Sequence, residues 1–198
     1  SIMTLFIVGG NRKHEDEPLK SLILHLKKIN LNFVLITDKI HLYKECKNFK
    51  DLKEFLKKYK IKYYLFNNIN LEYIRLNNLI KEKNSYLLAL NSIWIFKKEI
   101  INLFKNRIFN LHIGKLPNQK GAGGASWQIL SQDKFSAATI HEISNKIDDG
   151  KILIEKKFSI KKTISLIEYY KSVNVVENKI LKQFVHKISK KKKLKFLR

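Results

Sequence analysis

Short apolar runs alternate with amphipathic stretches along the first hundred residues of the chain. The amphipathic stretches repeat apolar side chains every three or four residues, which predicts helices over residues 18–28, 51–59, 71–83 and 97–104. The apolar runs are of strand length and predict buried strands over residues 4–8, 32–37, 62–66 and 85–90. Strands that alternate with helices in this way indicate a parallel sheet covered by helices.

The pattern changes in the last third of the chain. Residues 137–143 alternate between apolar and polar positions, which predicts a half-buried strand that pairs across a loop with residues 151–158. An amphipathic helix follows over residues 164–187, and a basic tail occupies about residues 187–198. The predicted fold is α/β and Rossmann-like: a mostly parallel central sheet with helices on both faces and a C-terminal antiparallel hairpin.

Composition favours a single domain over residues 1–198. The chain is 44% hydrophobic and contains no stretch of uncharged apolar residues long enough to span a membrane. No charged-then-apolar leader opens it, and Cys46 is the only cysteine, so we expect neither secretion nor a disulfide framework. A reducing cytoplasm is the expected location, and the oligomeric state stays open.

The formal charge of +23 raises the question of nucleic-acid binding, because neutralising phosphates requires an excess of cations. The cations are nearly all lysine, and arginine occurs only at Arg12, Arg75, Arg107 and Arg198. Arginine suits phosphate and base edges better than lysine does. Since Ile and Asn are also abundant, the charge indicates a general drift of composition, and nucleic acid is not the expected partner.

One short motif carries candidate chemistry at the end of an apolar run. Asn110 and His112 are two residues apart, so in a strand both side chains project to the same face. The amide can donate to a negatively charged oxygen, and the imidazole can move a proton. Asp148, in the loop before the apolar residues 152–154, adds a carboxylate. The plainer alternative is a turn with an ordinary histidine, followed by a hairpin loop.

From about residue 87 to residue 158 the chain resembles the folate-dependent formyltransferases. That family contains glycinamide ribonucleotide transformylase, methionyl-tRNA formyltransferase and the sugar N-formyltransferases. Its pattern is a strand, a turn, a short helix, Asn-x-His-x-x-x-Leu-Pro-x-x-x-Gly, an amphipathic helix, a hairpin and Asp-x-Gly. The matching positions are Asn110, His112, Leu116, Pro117, Gly121, Asp148 and Gly150.

The resemblance implies an N-formyltransferase that transfers a formyl group from 10-formyltetrahydrofolate to a primary amine. Asn110 would then hold the negative charge on the former carbonyl oxygen, His112 would move the amine proton, and Asp148 would orient the imidazole. No metal is expected, because no His-x-x-x-His or Cys-x-x-Cys pair is present in the sequence. His141 is interpreted as an ordinary strand residue.

The resemblance also implies where the folate would bind. Ile93, Trp94 and Phe96 lie in the segment that matches the family loop holding the pterin-like ring, and the stretch with Ser144 and Ile147 would supply the opposite wall. An apolar slot with a few exposed peptide groups suits a flat heteroaromatic ring. The alternative is that Ile93, Ile95 and Phe96 fill the core and Trp94 caps it.

Two glycine-containing segments are candidates for acceptor binding. Gly10, Asn11 and Arg12 follow the first strand, where ribonucleotide transformylases hold a substrate phosphate, although a plain strand-to-helix connection also explains them. Lys120 and Gly121 match a basic residue and a glycine that lie near the acceptor in the tRNA and sugar enzymes.

The acceptor is inferred by elimination. The first turn differs from that of the ribonucleotide transformylases, and only about forty residues follow Phe158, fewer than the extra domain of the tRNA enzymes requires. The leading prediction is a small amine, and specifically an amino sugar nucleotide. The alternatives are glycinamide ribonucleotide, methionyl-tRNA, hydrolysis of the formyl-folate, and a non-catalytic basic protein that binds RNA or another partner on this scaffold.

Overall fold

A parallel sheet of four strands forms the centre of the first of two units into which the chain divides, Ser1–Phe109 and Asn110–Arg198. The computed structural model describes residues 3–11, 17–120, 124–146, 148–161, 164–190 and 193–198. The strands of the first unit are β1 (Met3–Gly9), β2 (Asn32–Thr37), β3 (Tyr63–Leu65) and β4 (Asn84–Leu90). Their order is β3-β2-β1-β4, and each neighbouring pair is parallel.

The central strand β1 shows why this sequence forms a parallel sheet. Leu5, Phe6, Ile7 and Val8 are all completely buried, as expected for a strand that is covered on both faces. The five helices of the described part of this unit are α1 (Glu17–Lys28), α2 (Lys39–Leu42), α3 (Leu52–Lys58), α4 (Tyr73–Leu79) and α5 (Lys98–Leu103).

Two helices differ from the sequence-based prediction. Helix α2 was not predicted; Asp38 caps it by accepting a hydrogen bond from the His41 backbone N–H at 2.9 Å. Helix α4 (Tyr73–Leu79) is shorter than the predicted 71–83, and turns held by side-chain hydrogen bonds lie before and after it. Asn68 Oδ1 accepts from the Asn70 N–H at 3.0 Å, and Ser85 Oγ donates to the Glu82 carbonyl at 2.7 Å.

The second unit contains β5 (Ile108–Ile113, of which the last four residues belong to this unit), α6 (Gly124–Leu130), β6 (Phe135–Glu142), β7 (Ile152–Ser159) and α7 (Leu166–Ser189). Strands β6 and β7 are antiparallel. A capping box of Ser165 and Glu168 starts α7, whose Tyr169 and Val173 pack with Ile160 in a buried cluster.

The fold class predicted from the sequence, a mostly parallel Rossmann-like sheet with a C-terminal antiparallel hairpin, is confirmed. The predicted basic tail differs in part. Residues 187–189 belong to α7, and at the end of the chain the Ile152 N–H donates to the Arg198 carbonyl at 2.7 Å. In the described residues, no helix is both long and apolar enough to cross a membrane.

Candidate active site

Strand β5 places both Asn110 and His112 beside His141. Asn110 Nδ2 lies 3.3 Å from His141 Nε2, and the ring centroids of His112 and His141 are 6.3 Å apart in an edge-on arrangement. Asn110 is half-buried, His112 is 8% exposed and His141 is 1% exposed. The Asn-x-His spacing therefore presents an amide and an imidazole together in a partly dry site.

The loop after β5 determines which nitrogen of His112 carries the proton. His112 Nε2 lies 2.6 Å from the Gln119 carbonyl oxygen, which can only accept, so Nε2 donates. A neutral His112 then carries its lone pair on Nδ1. Gly114 permits this contact, because its φ is 146° and a Cβ there would lie 2.9 Å from His112 Nε2.

The loop between β6 and β7 brings a carboxylate to the two imidazoles. Asp148 Oδ2 lies 3.5 Å from His112 Nδ1, and its Oδ1 lies 3.1 Å from His141 Nε2. Gly150 sets the path of this loop, since a Cβ at that position would lie 1.6 Å from the Glu142 carbonyl oxygen. The Asp-x-Gly motif is therefore explained by the close approach of two backbone segments.

His141 is a site residue that the sequence-based interpretation missed. Its Nδ1 lies 3.0 Å from the Glu142 carbonyl, so Nδ1 donates there and Nε2 faces both Asp148 and Asn110. The register of β6 against β7 is irregular between Ile140 and His141, as in a β-bulge, which redirects a side chain. A histidine in the predicted strand next to the Asp148 loop was the signal available in the sequence.

Burial lowers the pKa of His112, and the neighbouring His141 also lowers it. The Asp148 carboxylate and the hydrogen bond to the Gln119 carbonyl act in the opposite direction but do not outweigh burial. His112 is therefore neutral at pH 7, with an unprotonated Nδ1 that points towards Asp148. This arrangement is suited to accepting a proton and stabilising it against the carboxylate.

Lys120 lies near this cluster but is already paired. Its Nζ contacts Asp149 Oδ1 at 2.6 Å, and this hydrogen bond holds the pKa of the exposed Asp149 carboxyl below its ordinary value. A cavity of about 220 Å³ lies between Pro117 and Asp148. Gly121, the other predicted acceptor residue of this segment, lies outside the described residues.

In the first unit, the predicted acceptor residues Gly10 and Asn11 are buried beside an Asp-His pair that the sequence did not reveal. His41 Nδ1 lies 2.5 Å from Asp38 Oδ2, and a Cβ on Gly10 would lie 2.4 Å from His41. Asn11 is 3% exposed and its Nδ2 donates to Cys46 Sγ at 3.2 Å. Arg12 lies outside the described residues.

The predicted folate residues of the first unit differ in exposure. Ile93 is 48% exposed, Trp94 is half-buried and Phe96 is 7% exposed. The alternative in which Ile93, Ile95 and Phe96 all fill the core is wrong, because Ile95 is also exposed and only Phe96 is buried. Ile93 and Trp94 thus offer accessible apolar surface, as a flat ring requires.

The predicted folate residues of the second unit are described only in part. Ser144 is half-buried, and its Oγ accepts from the Lys146 N–H at 3.3 Å in a local turn. Ile147 lies outside the described residues. Within the ranges that the structure describes, no group of three or more His, Cys, Asp or Glu side chains is arranged to hold a metal ion.

Comparison with known proteins identifies the family. The model of the formyl transferase family matches residues 17–185, so the chain belongs to that family, and the predicted resemblance is confirmed. A methionyl-tRNA formyltransferase of Borreliella afzelii is 32% identical over 114 residues, which are 57% of this chain and 36% of that protein. One from Prochlorococcus marinus is 30% identical over 98 residues, 50% of this chain and 30% of that protein. The chain thus spans about a third of the length of these relatives.

Solved structures of the same fold include enzymes with different acceptors. A phosphoribosylglycinamide formyltransferase from Bacillus halodurans has a TM-score of 0.77 at 18% identity, covering 98% of this chain and all of that one. The sugar 3N-formyltransferase WlaRD, solved with dTDP and 5-N-formyl-THF, has a TM-score of 0.78 at 23% identity, covering all of this chain and 66% of that one.

Proposed function

We propose that this protein transfers a formyl group from 10-formyltetrahydrofolate to a primary amine. The observation that carries the proposal is the cluster of Asn110, His112 and Asp148, in which an amide, a neutral imidazole and a carboxylate share one small, largely buried site. Membership of the formyl transferase family supports the reaction class. Acyl transfer to an amine requires a donor for the developing negative charge and an acceptor for the amine proton.

Each of the three residues has a distinct role in this proposal. The Asn110 amide donates to the carbonyl oxygen as negative charge develops on it, a contribution of about 2.7–4 kcal/mol to lowering the barrier for a single well-placed donor. His112 takes the amine proton on Nδ1, because Nε2 is already bonded to the Gln119 carbonyl. Asp148 then stabilises the imidazolium from 3.5 Å. As the tetrahedral adduct collapses, the bond between the formyl carbon and the folate nitrogen would break, and that leaving nitrogen would take the proton from His112.

The formyl-folate supplies an activated formyl group, and we propose that Ile93, Trp94, Phe96, Ser144 and Ile147 hold it. The exposed Ile93 and half-buried Trp94 support a stacking surface for the ring. Phe96 is itself buried, so it would support the segment that carries Ile93 and Trp94 and would not contact the ring directly. The structural neighbour WlaRD was solved with 5-N-formyl-THF, which is consistent with a folate donor.

As the acceptor we propose an amino sugar nucleotide, held by Gly10, Asn11, Arg12, Lys120 and Gly121. Two sugar-enzyme structures support this choice: WlaRD, and an N-formyltransferase from Helicobacter canadensis solved with folinic acid and dTDP-3-aminofucose, which has a TM-score of 0.75. In the first unit, the buried Asn11 Oδ1 has no hydrogen-bond partner among the described residues, so a ligand hydroxyl would satisfy it.

Methionyl-tRNA is the second candidate acceptor. Its support comes from the relatives identified by sequence, which are methionyl-tRNA formyltransferases, and from the formal charge of +23. Such a charge favours binding of a polyanion. We further propose that residues 1–198 act together as one catalytic domain, since the family model extends across both units.

The decisive experiment is the turnover of 10-formyltetrahydrofolate, followed by absorbance, with a panel of acceptors. The panel contains amino sugar nucleotides, glycinamide ribonucleotide, methionyl-tRNA and a control without acceptor. We expect turnover with an amino sugar nucleotide alone. Turnover with methionyl-tRNA would select the second candidate, turnover without an acceptor would indicate a hydrolase, and no turnover together with no folate binding would refute the proposal.

A further inference from the structure

A chain of hydrogen bonds, buried at its Tyr169 end and partly buried elsewhere, runs from helix α7 to the catalytic imidazole within the second unit. The Tyr169 hydroxyl donates to Gln128 Oε1 at 2.8 Å, and Gln128 Nε2 donates to Gln119 Oε1 at 3.0 Å. Gln119 presents its own backbone carbonyl to His112 Nε2 at 2.6 Å. Tyr169 is completely buried and Gln128 is 1% exposed, so these two side chains are shielded from water.

The Gln119 side chain is fixed by more than the Gln128 contact. Its Oε1 also accepts from the Lys115 backbone N–H at 2.8 Å, and its Nε2 donates to Asp133 Oδ2 at 2.9 Å. Each contact of the Gln119 side chain joins an amide N–H to an oxygen, and the Tyr169 hydroxyl donates to the Gln128 amide oxygen. The assigned orientation of each glutamine amide therefore satisfies all of these contacts. A satisfied buried network of this kind rigidifies the backbone that it joins.

The network matters because the Gln119 carbonyl lies in a loop, so other contacts must fix its position against His112. The loop of residues 114–119 follows the last residue of β5 and brings the Gln119 carbonyl back to the His112 imidazole. At Gly114, the first residue of this loop, a Cβ would lie 3.0 Å from the Gln119 oxygen. The loop has no helix or strand of its own. The Gln119 side chain, joined to α6 through Gln128 and to α7 through Tyr169, supplies the missing rigidity.

We propose that Gln119, Gln128 and Tyr169 are positioning residues that hold the Gln119 carbonyl against His112 Nε2, and so keep the reactive lone pair on Nδ1. None of the three touches the reacting atoms in this proposal; they act through His112. The catalytic consequence rests on the proposed formyl transfer, but the tautomer and titration of His112 do not.

Other groups also face the imidazole and influence its titration. Asp148 faces Nδ1 from the β6–β7 loop and His141 faces the ring from β6, while Asp133 and Lys115 lie behind Gln119, 3.4 Å from each other. The Gln119 carbonyl raises the pKa of His112. Loosening this carbonyl while the other groups stay in place therefore lowers the pKa of His112.

The test is Tyr169→Phe, which removes one hydroxyl and keeps the packed ring. Tyr170→Phe is the matched control, because it removes the hydroxyl of the next residue of α7, which takes part in none of the hydrogen bonds named above, and keeps the ring that packs edge-on against Tyr169. The pKa of His112 is measured by NMR titration of the imidazole in the intact protein. We expect Tyr169→Phe to lower it and Tyr170→Phe to leave it unchanged. With an active acceptor, kcat should fall roughly three- to tenfold, the usual effect of one lost hydrogen bond, with little change in KM.

A second variant separates positioning from general destabilisation. Gln119→Met removes the anchoring amide, and in the double variant with Tyr169→Phe the pKa of His112 should match that of Gln119→Met alone, because both act through one chain. A His112 that titrates as in the wild type in either single variant, or additive shifts in the double variant, would overturn the proposal. A lowered pKa without turnover on any acceptor would support the positioning and refute only the proposed function.

Discussion

At the scale of single residues, the proposed role of His112 depends on which of its two ring nitrogens already makes a hydrogen bond within the protein. Nε2 donates to a backbone carbonyl, so in the proposed reaction the proton is taken by Nδ1, which faces Asp148. The pair Asn110 and His112 could be predicted from spacing alone, since residues two apart share a strand face. His141 could not, because its relevance depends on a loop that returns to it from another strand.

Replacing His112 by Asn tests whether this residue moves the amine proton. The variant keeps a polar side chain but has no group that titrates near neutral pH, so we expect kcat to fall by about 10²–10⁴. Single-turnover kinetics with 10-formyltetrahydrofolate measure this loss, and folate binding by fluorescence should be retained. Formyl transfer at the wild-type rate would rule out the assigned role.

The pH dependence of kcat/KM follows from the lowered pKa of His112. The base form is present at neutral pH, so the rate should be level there and decline on acidification, through a pKa below the ordinary value for histidine. Asp148 raises the pKa of His112, so Asp148→Asn should move the acidic limb to still lower pH while also reducing the rate. If the acidic limb of the pH profile moved to higher pH in Asp148→Asn, this would contradict the placement of the Asp148 carboxylate beside His112.

At the scale of secondary-structure elements, the β6–β7 hairpin is the part that completes the site. Its strands were predicted within one or two residues, because alternation of apolar and polar positions is a local property of the sequence. The irregular register at His141 and the approach of Gly150 to the Glu142 carbonyl are not local, since each requires both strands to be paired.

Gly150→Ala tests the importance of that approach. The added methyl group would meet the Glu142 carbonyl oxygen at 1.6 Å, so the loop with Asp148 must shift. Overpacking of this kind costs about 1–3 kcal/mol of stability, and we expect kcat to fall with it. Lys156→Ala in the adjoining strand β7 is the control, because Lys156 is exposed and has no role in the proposed site. Thermal unfolding and steady-state kinetics report the two effects, and a variant with unchanged kcat would show that the loop position is not critical.

At the scale of the whole molecule, the formal charge of +23 is the property that most separates the two candidate acceptors. For a small acceptor, only the few charges in contact with the ligand matter, so the affinity for the formyl-folate should fall much less with salt than the affinity for a polyanion. Non-specific tRNA binding rests on lysines that neutralise phosphates and release counterions, so its affinity falls steeply as salt rises. A true tRNA acceptor would in addition make contacts to bases and to the shape of the tRNA, and these survive the higher salt.

Titration with tRNA at about 50 mM and 200 mM salt therefore discriminates between the candidates. We expect weak tRNA binding that is lost at the higher salt concentration, while the affinity for 10-formyltetrahydrofolate falls far less. Calorimetry measures both affinities on one sample. Tight tRNA binding that persists at the higher salt, with selectivity for the initiator methionyl-tRNA, would favour the tRNA acceptor instead.

The sequence by itself determined most of the succession of strands and helices, the Asn-x-His and Asp-x-Gly motifs and the family, because all of these are read from local periodicity and fixed spacing. The short helix α2 was missed. Only the tertiary structure decided that His141 joins Asp148, that a carbonyl of Gln119 occupies His112 Nε2, and that Tyr169 anchors this carbonyl through Gln128. These contacts link segments that are distant in sequence through backbone atoms and buried amides, whose partners depend on the folded path of the chain.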